Sequence, residues 1–207
     1  MAIRTAVNRA LTAITALPTA AALVNGNLTL LTTATASSSA TLDFTSSINS
    51  TYDSYMFKFI NIHSSATENF TFQANAVGAS GFNETMTTTS FVAYHDESDS
   101  TTALEYNDGA DQGQATGFQF LNVSGGFDIE NSANLSGTLT LFNPSSTTFV
   151  KHFTANTAHM GNGDYSHNSF VAGYFNTTSA IDEIQFKMSS GNIDAGVIKM
   201  YGVGDKQ

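Results

Sequence analysis

The histidines are the first candidates for chemistry in this sequence, because metal-binding histidines occur at characteristic spacings. The chain has five of them and no cysteine, which excludes a thiolate metal site. None of the five stands in an HExxH pattern or in a close cluster. His159 and His167 share a predicted polar loop with Asp164, and neutral imidazoles with a carboxylate could bind a metal ion. Solvated loop side chains are the alternative, and we predict no metal or cofactor.

A second candidate is the acidic segment between residues 96 and 111. Carboxylate oxygens are the ligands that Ca²⁺ prefers in proteins. The spacing of the acids differs from the EF-hand pattern, so a solvated loop and a calcium site both stay open. The acidic side chains are Asp96, Glu97, Asp99, Glu105, Asp108 and Asp111.

Two patterns typical of hydrolases were considered next. Glu68 and Glu84 could form the carboxylate pair of a glycoside hydrolase, but the sequence does not set their separation. Serine, histidine and aspartate all occur, yet no GxSxG nucleophile motif does. We therefore predict that the protein is not an enzyme.

Three tyrosines beside predicted polar loops could contact a glycan. An aromatic ring packs on the apolar face of a sugar, while neighbouring amides and carboxylates hydrogen-bond to its hydroxyls. Tyr94, Tyr106 and Tyr165 are the candidates. The competing interpretation is that these rings only anchor their loops.

The composition narrows the range of partners. Of the 207 residues 41% are hydrophobic and 16 are Phe, which is enough to bury a core. The net charge is −10; the two charges before Ala40, Arg4 and Arg9, are positive, and all 17 acids follow. An acidic body without clustered Lys and Arg argues against a nucleic-acid partner. No apolar run approaches the ~20 residues of a membrane span, so we predict no membrane insertion.

Residues 1–40 predict an N-terminal docking arm. Four apolar residues follow one another at steps of four, four and three, which places them on one side of a helix over residues 2–17. Pro18 then ends the helix. A helix of this length is marginal alone in water, so its stripe must contact the chain's own body, a second copy or another protein. The partner-docking residues of the stripe are Ile3, Val7, Leu11 and Ile14.

Residues 41–207 predict an all-β body. Ser54–His63 is apolar on both faces, as expected of a strand in the middle of a sheet and covered on both sides. Phe70–Ala76 alternates apolar and polar residues, so one of its faces should meet water. About nine or ten such strands are separated by turn residues. The pattern predicts an antiparallel, jelly-roll-like β-sandwich, preceded by a short strand at Leu28–Leu31 and a linker or edge segment over 32–40.

Two stretches at the ends of the body resemble one family. The run that begins Thr-Tyr-Asp-Ser-Tyr at Thr51 is similar to the TYDxYxFxFxNI strand of structural proteins from tailed bacteriophages, many of them marine or cyanobacterial phages. Residues 196–203 resemble the closing GxIxLYGI strand of the same proteins. Residues 172–175 and 179–184 are similar to their middle portion. Ser64 and Met200 depart from the family pattern, which has Pro and Leu there.

The resemblance implies a virion component of the tail, fibre or head-decoration type, localised in the virion. It implies other virion proteins as partners, a homotrimer or other homo-oligomer, and no catalytic residues. The arm lies outside the resemblance, so the sequence does not choose between tail and head. A carbohydrate-binding module that recognises a host-surface glycan is the alternative from a different functional class.

Overall fold

The computed structural model describes residues 28–204, and in this range every regular element is a β-strand. All strand pairs are antiparallel, which confirms the predicted all-β, antiparallel class. The strands are β1 (Thr29–Thr35), β2 (Leu42–Phe44), β3 (Ser54–Ser64), β4 (Phe70–Ala76), β5 (Met86–Asp96), β6 (Thr102–Tyr106), β7 (Gly113–Ala115), β8 (Gln119–Phe120), β9 (Leu135–Phe142), β10 (Lys151–Gly161), β11 (Tyr165–Phe175), β12 (Ile181–Met188) and β13 (Ile193–Val203).

The strands form two sheets. The larger has the order β1-β13-β3-β9-β10-β11-β5-β6, with β7 also paired to β5, and the smaller has the order β2-β12-β4-β8. Four pairs join early strands to late ones in reverse order: β1 to β13, β2 to β12, β3 to β9 and β4 to β8. We call these eight strands the wound region. The other five, β5, β6, β7, β10 and β11, continue the larger sheet beyond β9 and are called the extension.

Phenylalanine rings fill the space between the two sheets of the wound region. Phe186 of β12 lies at the centre, with its ring centroid 5.3 Å from those of both Phe57 and Phe59 on β3. Within its own sheet, the ring centroid of Phe186 lies 5.7 Å from that of Phe70 and 6.3 Å from that of Phe72. All five side chains are buried. The two sheets therefore pack face to face in a sandwich-like arrangement.

The inner face of the extension is covered in two ways. Near the start of β10 and the end of β11, Phe153 and Phe175 pack on Phe72 of the small sheet, with ring centroids 4.9 Å and 6.2 Å from that of Phe72. Residues 107–134, which we call the cover segment, cover the part around Thr157 and Ser169. Thr157 Oγ1 donates a hydrogen bond to the carbonyl of Leu121 at 2.5 Å. The amide of Val123 donates to Ser169 Oγ at 3.1 Å. These contacts satisfy polar groups that burial would otherwise leave unpaired, so this part of the interior can be polar.

Two details of the strand predictions were wrong. β3 does lie in the middle of its sheet, between β13 and β9. However, Lys58 is exposed and Met56 is half-buried, because no described residue covers that face. In β4 both faces are buried. Residues Thr116 and Gly117 lie over the outer face of the small sheet, where their carbonyls accept hydrogen bonds from Gln73 Nε2.

The structure also shows where the arm joins the body. Most of the predicted strand at Leu28–Leu31 and the first part of the segment over 32–40 form one edge strand, β1, which pairs with β13. Ser39 then bridges to Ile193. The predicted helix over 2–17 and its stripe residues Ile3, Val7, Leu11 and Ile14 lie outside the described residues.

Candidate functional site

The outer face of the larger sheet is solvent-exposed over the extension. Alternate residues of β5, β10 and β11 are buried, and the residues between them point outward. The antiparallel register places outward residues of neighbouring strands opposite one another, in rows that cross the sheet. Two adjacent rows contain the side chains that make this face distinctive.

The first row is aromatic. Phe170 of β11 lies opposite Phe91 of β5, and Phe91 lies opposite Tyr106 of β6. The rings of Phe91 and Phe170 stack with their centroids 4.7 Å apart and their planes 9° from parallel. Phe91 is 42% exposed and Tyr106 is 56% exposed. Contiguous exposed apolar groups of this kind are enriched at interaction sites.

The second row consists of small side chains and forms a concavity beside the aromatic row. We call it the threonine trough; it encloses about 280 Å³. Its lining contains no charged side chain. Phe91 and Phe170 form one wall, and the floor is formed by Thr140, Thr154, Ala172 and Thr89, which lie opposite one another on β9, β10, β11 and β5.

Tyr106 is held at the end of the aromatic row. Its hydroxyl donates a hydrogen bond to the carboxylate of Asp111. This hydrogen bond is the main cause that raises the pKa of Tyr106 above its ordinary value. The ring is therefore fixed on β6 as a neutral phenol.

The structure brings two of the three predicted glycan-contact tyrosines together and separates the third. The rings of Tyr94 and Tyr165 meet edge to face, with centroids 5.9 Å apart. Both lie on the inner side of the extension. Tyr94 is two residues after the buried Val92 and so shares its face of β5, and Tyr165 lies opposite the buried Asp96. Tyr106 lies on the outer side, so the three rings do not form one surface.

His159 and His167 lie on strands, so their placement in a loop was wrong. They are opposite each other on β10 and β11, only 4% and 5% exposed, with stacked rings 4.8 Å apart. Burial lowers the pKa of His159 to about 4, with a smaller contribution from His167. Burial also lowers the pKa of His167. The inward-facing side chains near them are polar because they hydrogen-bond to the cover segment, as Thr157 and Ser169 do. A strand with such polar residues looks like a loop in the sequence.

This histidine pair does not make a metal site with Asp164, which is exposed. His159 Nε2 lies 3.2 Å from the carbonyl oxygen of Gly125. The lone pairs of two stacked imidazoles lie in parallel planes and cannot converge on one ion. Among the described residues no three His, Asp or Glu side chains are grouped so as to hold a metal ion.

The acidic segment uses its first carboxylate to close a turn. Asp96 accepts hydrogen bonds from the hydroxyls of Ser98 and Ser100 at 2.5 Å and from the amide of Thr101 at 2.8 Å. These bonds, that from the Ser100 hydroxyl foremost, hold the pKa of Asp96 well below its usual range. The carboxylate is thus occupied by its own loop.

The two candidate hydrolase glutamates are far apart. Glu68 accepts a hydrogen bond from Ser189 Oγ at 2.6 Å, beside the start of β4. Glu84 accepts one from the amide of Ala76, the last residue of β4. A strand of this length places its ends roughly 20 Å apart, well beyond the roughly 5–10 Å of a glycosidase pair.

A second exposed apolar group lies where the arm joins the sheet, and we call it the arm-end patch. Register brings the start of β1, the end of β13, the start of β3 and the end of β9 to this end. Met56 and Tyr201, both half-buried, lie between the exposed members. The exposed members are Leu28, Leu30, Phe142 and Phe149.

Comparison with known proteins gives no assignment. No family model matches the chain, and no curated protein or solved structure matches it. No helix within residues 28–204 is long and apolar enough to cross a membrane. The family suggested by the sequence therefore stays a prediction.

Proposed function

We propose that this protein is a non-enzymatic structural component of a tailed-bacteriophage virion, associated with the tail or its fibres. Its N-terminal arm anchors it to other virion proteins, and its β-body is directed outward. The strand orders β1-β13-β3-β9 and β2-β12-β4-β8, with their four reverse-order pairs, fit a jelly roll into which the extension is inserted. Jelly rolls are frequent in viral capsid and lectin domains. A fold supports an architecture and not an activity, so further support must come from the surface.

The observation that carries the proposal is the exposed apolar patch at the end of the larger sheet where the arm joins it. The arm-end patch exposes Leu30 by 51% and Phe149 by 68% where the arm enters. Exposed apolar groups of this kind are typical of surfaces that contact other proteins. An exposed apolar patch beside the arm suits burial in an assembly.

The two stretches that carry the family resemblance form one structural unit. The first runs from Thr51 into β3 and the second is the end of β13, and these two strands pair beside the edge strand β1. The ring of Tyr52 packs so closely on Gly202 that a Cβ at this glycine would collide with it. This contact joins one residue of each motif, which supports reading the two motifs as parts of one structural unit.

Removal of the arm tests the proposal. A phage that encodes the protein without Met1–Pro18 should yield soluble body but particles that lack it, measured by mass spectrometry of purified virions. Changing the stripe residues Ile3, Val7, Leu11 and Ile14 to Ser should have the same effect. The matched control changes the intervening Thr5 and Thr12 to Ala and should retain incorporation. Normal incorporation of the stripe variant would contradict the proposal.

The position on the particle is tested separately. Cryo-electron microscopy of intact virions with gold-labelled antibody should place the protein on the tail or its fibres in a few copies. Labelling of the whole head would instead identify a decoration protein. Sedimentation of the purified protein tests the expected homotrimer or other homo-oligomer.

A further inference from the structure

We propose that the threonine trough, together with Phe91 and Phe170, binds a neutral oligosaccharide. Of the predicted tyrosine contacts only Tyr106 lies beside this site, at the end of the aromatic row, since Tyr94 and Tyr165 lie on the other side of the sheet. Sugar binding at this site rests on the proposed outward position of the β-body only for its biological setting.

The chemistry of the lining selects the class of ligand. One wall is aromatic, and the floor is mostly threonine. A sugar ring has an apolar face that packs on an aromatic ring and a rim of hydroxyls that hydrogen-bond to side chains. In a protein with a net charge of −10 the trough contains no charged side chain. A neutral polyol fits this lining better than a charged ligand does.

The polar groups of the trough are positioned before any ligand binds. Asn156 Nδ2 donates hydrogen bonds to Asn168 Oδ1 at 2.6 Å and to the carbonyl of Ser169 at 3.3 Å. These bonds fix the amide and leave its oxygen free to accept. Within residues 28–204 the hydroxyls of Thr140 and Thr154 make no hydrogen bond. Donors and acceptors on rigid strands lose little conformational entropy on binding.

The shape favours a chain of sugars over a single one. The trough crosses β9, β10, β11 and β5, and strands lie about 4.8 Å apart, so its floor is roughly 14 Å long. Stacking covers one face of Phe91 and one face of Phe170, so their remaining faces and ring edges line part of this length. An extended oligosaccharide can therefore contact the aromatic wall and the threonine floor together.

The test uses the full chain and three neutral trisaccharides: maltotriose, cellotriose and triacetylchitotriose, preceded by a glycan array to widen the set. Binding is measured by titration with backbone NMR detection. We expect amide shifts confined to residues around Thr154 and Phe170 with at least one array hit or trisaccharide. Phe170→Ala should weaken binding roughly tenfold. Thr154→Trp, which fills the floor, should abolish it, and Thr33→Trp on the outer face of β1 should leave it unchanged.

Several outcomes would overturn the inference. A flat array with no shift from the three sugars would do so, as would shifts centred on Tyr165 or binding that survives Thr154→Trp. Concentration-dependent self-association that Thr154→Trp abolishes, without any response to sugar, would show that this face joins two copies. Because the protein without Met1–Pro18 should bind sugar normally, failure here is distinguishable from failure of the virion role.

Discussion

Between β3 and β12 the two sheets meet through phenylalanine rings, whereas around Thr157 of β10 and Ser169 of β11 the cover segment meets the larger sheet through hydrogen bonds. Phe186 contacts rings from both sheets. Thr157 and Ser169, at corresponding inner positions of the extension, instead hydrogen-bond to loop backbone. One continuous sheet is thus stabilised by apolar burial at one side and by polar pairing at the other. Stabilisation by apolar burial is lost when a smaller side chain leaves a cavity. Stabilisation by hydrogen bonds is lost when one partner is removed and the other stays buried without a bond.

The sharpest way to test the aromatic side is to remove its central ring. Phe186→Ala should lower the free energy of unfolding by about 3 to 5 kcal/mol, because a fully buried ring leaves a cavity among five others. Urea denaturation measures the loss. Phe149→Ala, at a side chain 68% exposed, is the matched control and should change stability by less than about 0.5 kcal/mol. Equal losses would show that the ring cluster is not the main apolar core.

The hydrogen-bonded side should be the acid-sensitive one. His159 is held neutral by burial, with its pKa lowered from 6.5 to about 4. The unfolded chain takes up a proton near pH 6.5 while the folded chain does not, so stability falls as the pH drops from about 6.5 to about 4. The loss should reach about 3 kcal/mol, measured by urea denaturation across this range.

His159→Gln keeps a donor for the carbonyl of Gly125 and removes the titration. This variant should flatten the pH dependence between pH 6.5 and 4, apart from the contribution of His167. His152→Gln, at an exposed position on the same strand, should leave the curve as it is. A wild-type curve that is already flat in this window would argue against a buried neutral imidazole.

A single hydrogen bond to the cover segment should have the smallest effect of the three. Thr157→Val preserves volume but leaves the carbonyl of Leu121 without its donor, and we expect a loss of about 1 to 3 kcal/mol. Thr154→Val, on the exposed face of the same strand, should be nearly neutral. Hydrogen exchange should also show faster opening of residues 119–125 in the first variant only. Identical behaviour of the two variants would mean that the cover segment is held by other contacts.

The two sides also differ in how far the sequence predicts them. The alternation of Tyr55, Phe57 and Phe59 predicted a buried strand face, and that face lies in the aromatic core. Polar residues of β10 such as Thr157 and His159 gave no such signal, because the groups that satisfy them come from distant loops. The trough was likewise hidden: Phe91 and Phe170 meet only through the register of β5 with β11.

The prediction of the glycan-contact tyrosines was likewise limited by the lack of information on strand pairing. Residue type identified Tyr94, Tyr106 and Tyr165 as rings near loops, but only strand pairing decides which side of a sheet a ring occupies. The structure places Tyr106 outward and the other two inward. The stripe on residues 2–17 lies outside the described residues and stays a prediction.

The position of β13 between β1 and β3 has a consequence for biosynthesis. A ribosome releases β1 and β3 long before the strand that joins them exists. Until then β3 has an open, phenylalanine-rich edge, which is the kind of segment that aggregates. Ribosome stalling or premature termination before Ile193 should therefore yield insoluble fragments, and productive folding has to wait until translation of the last strand is complete.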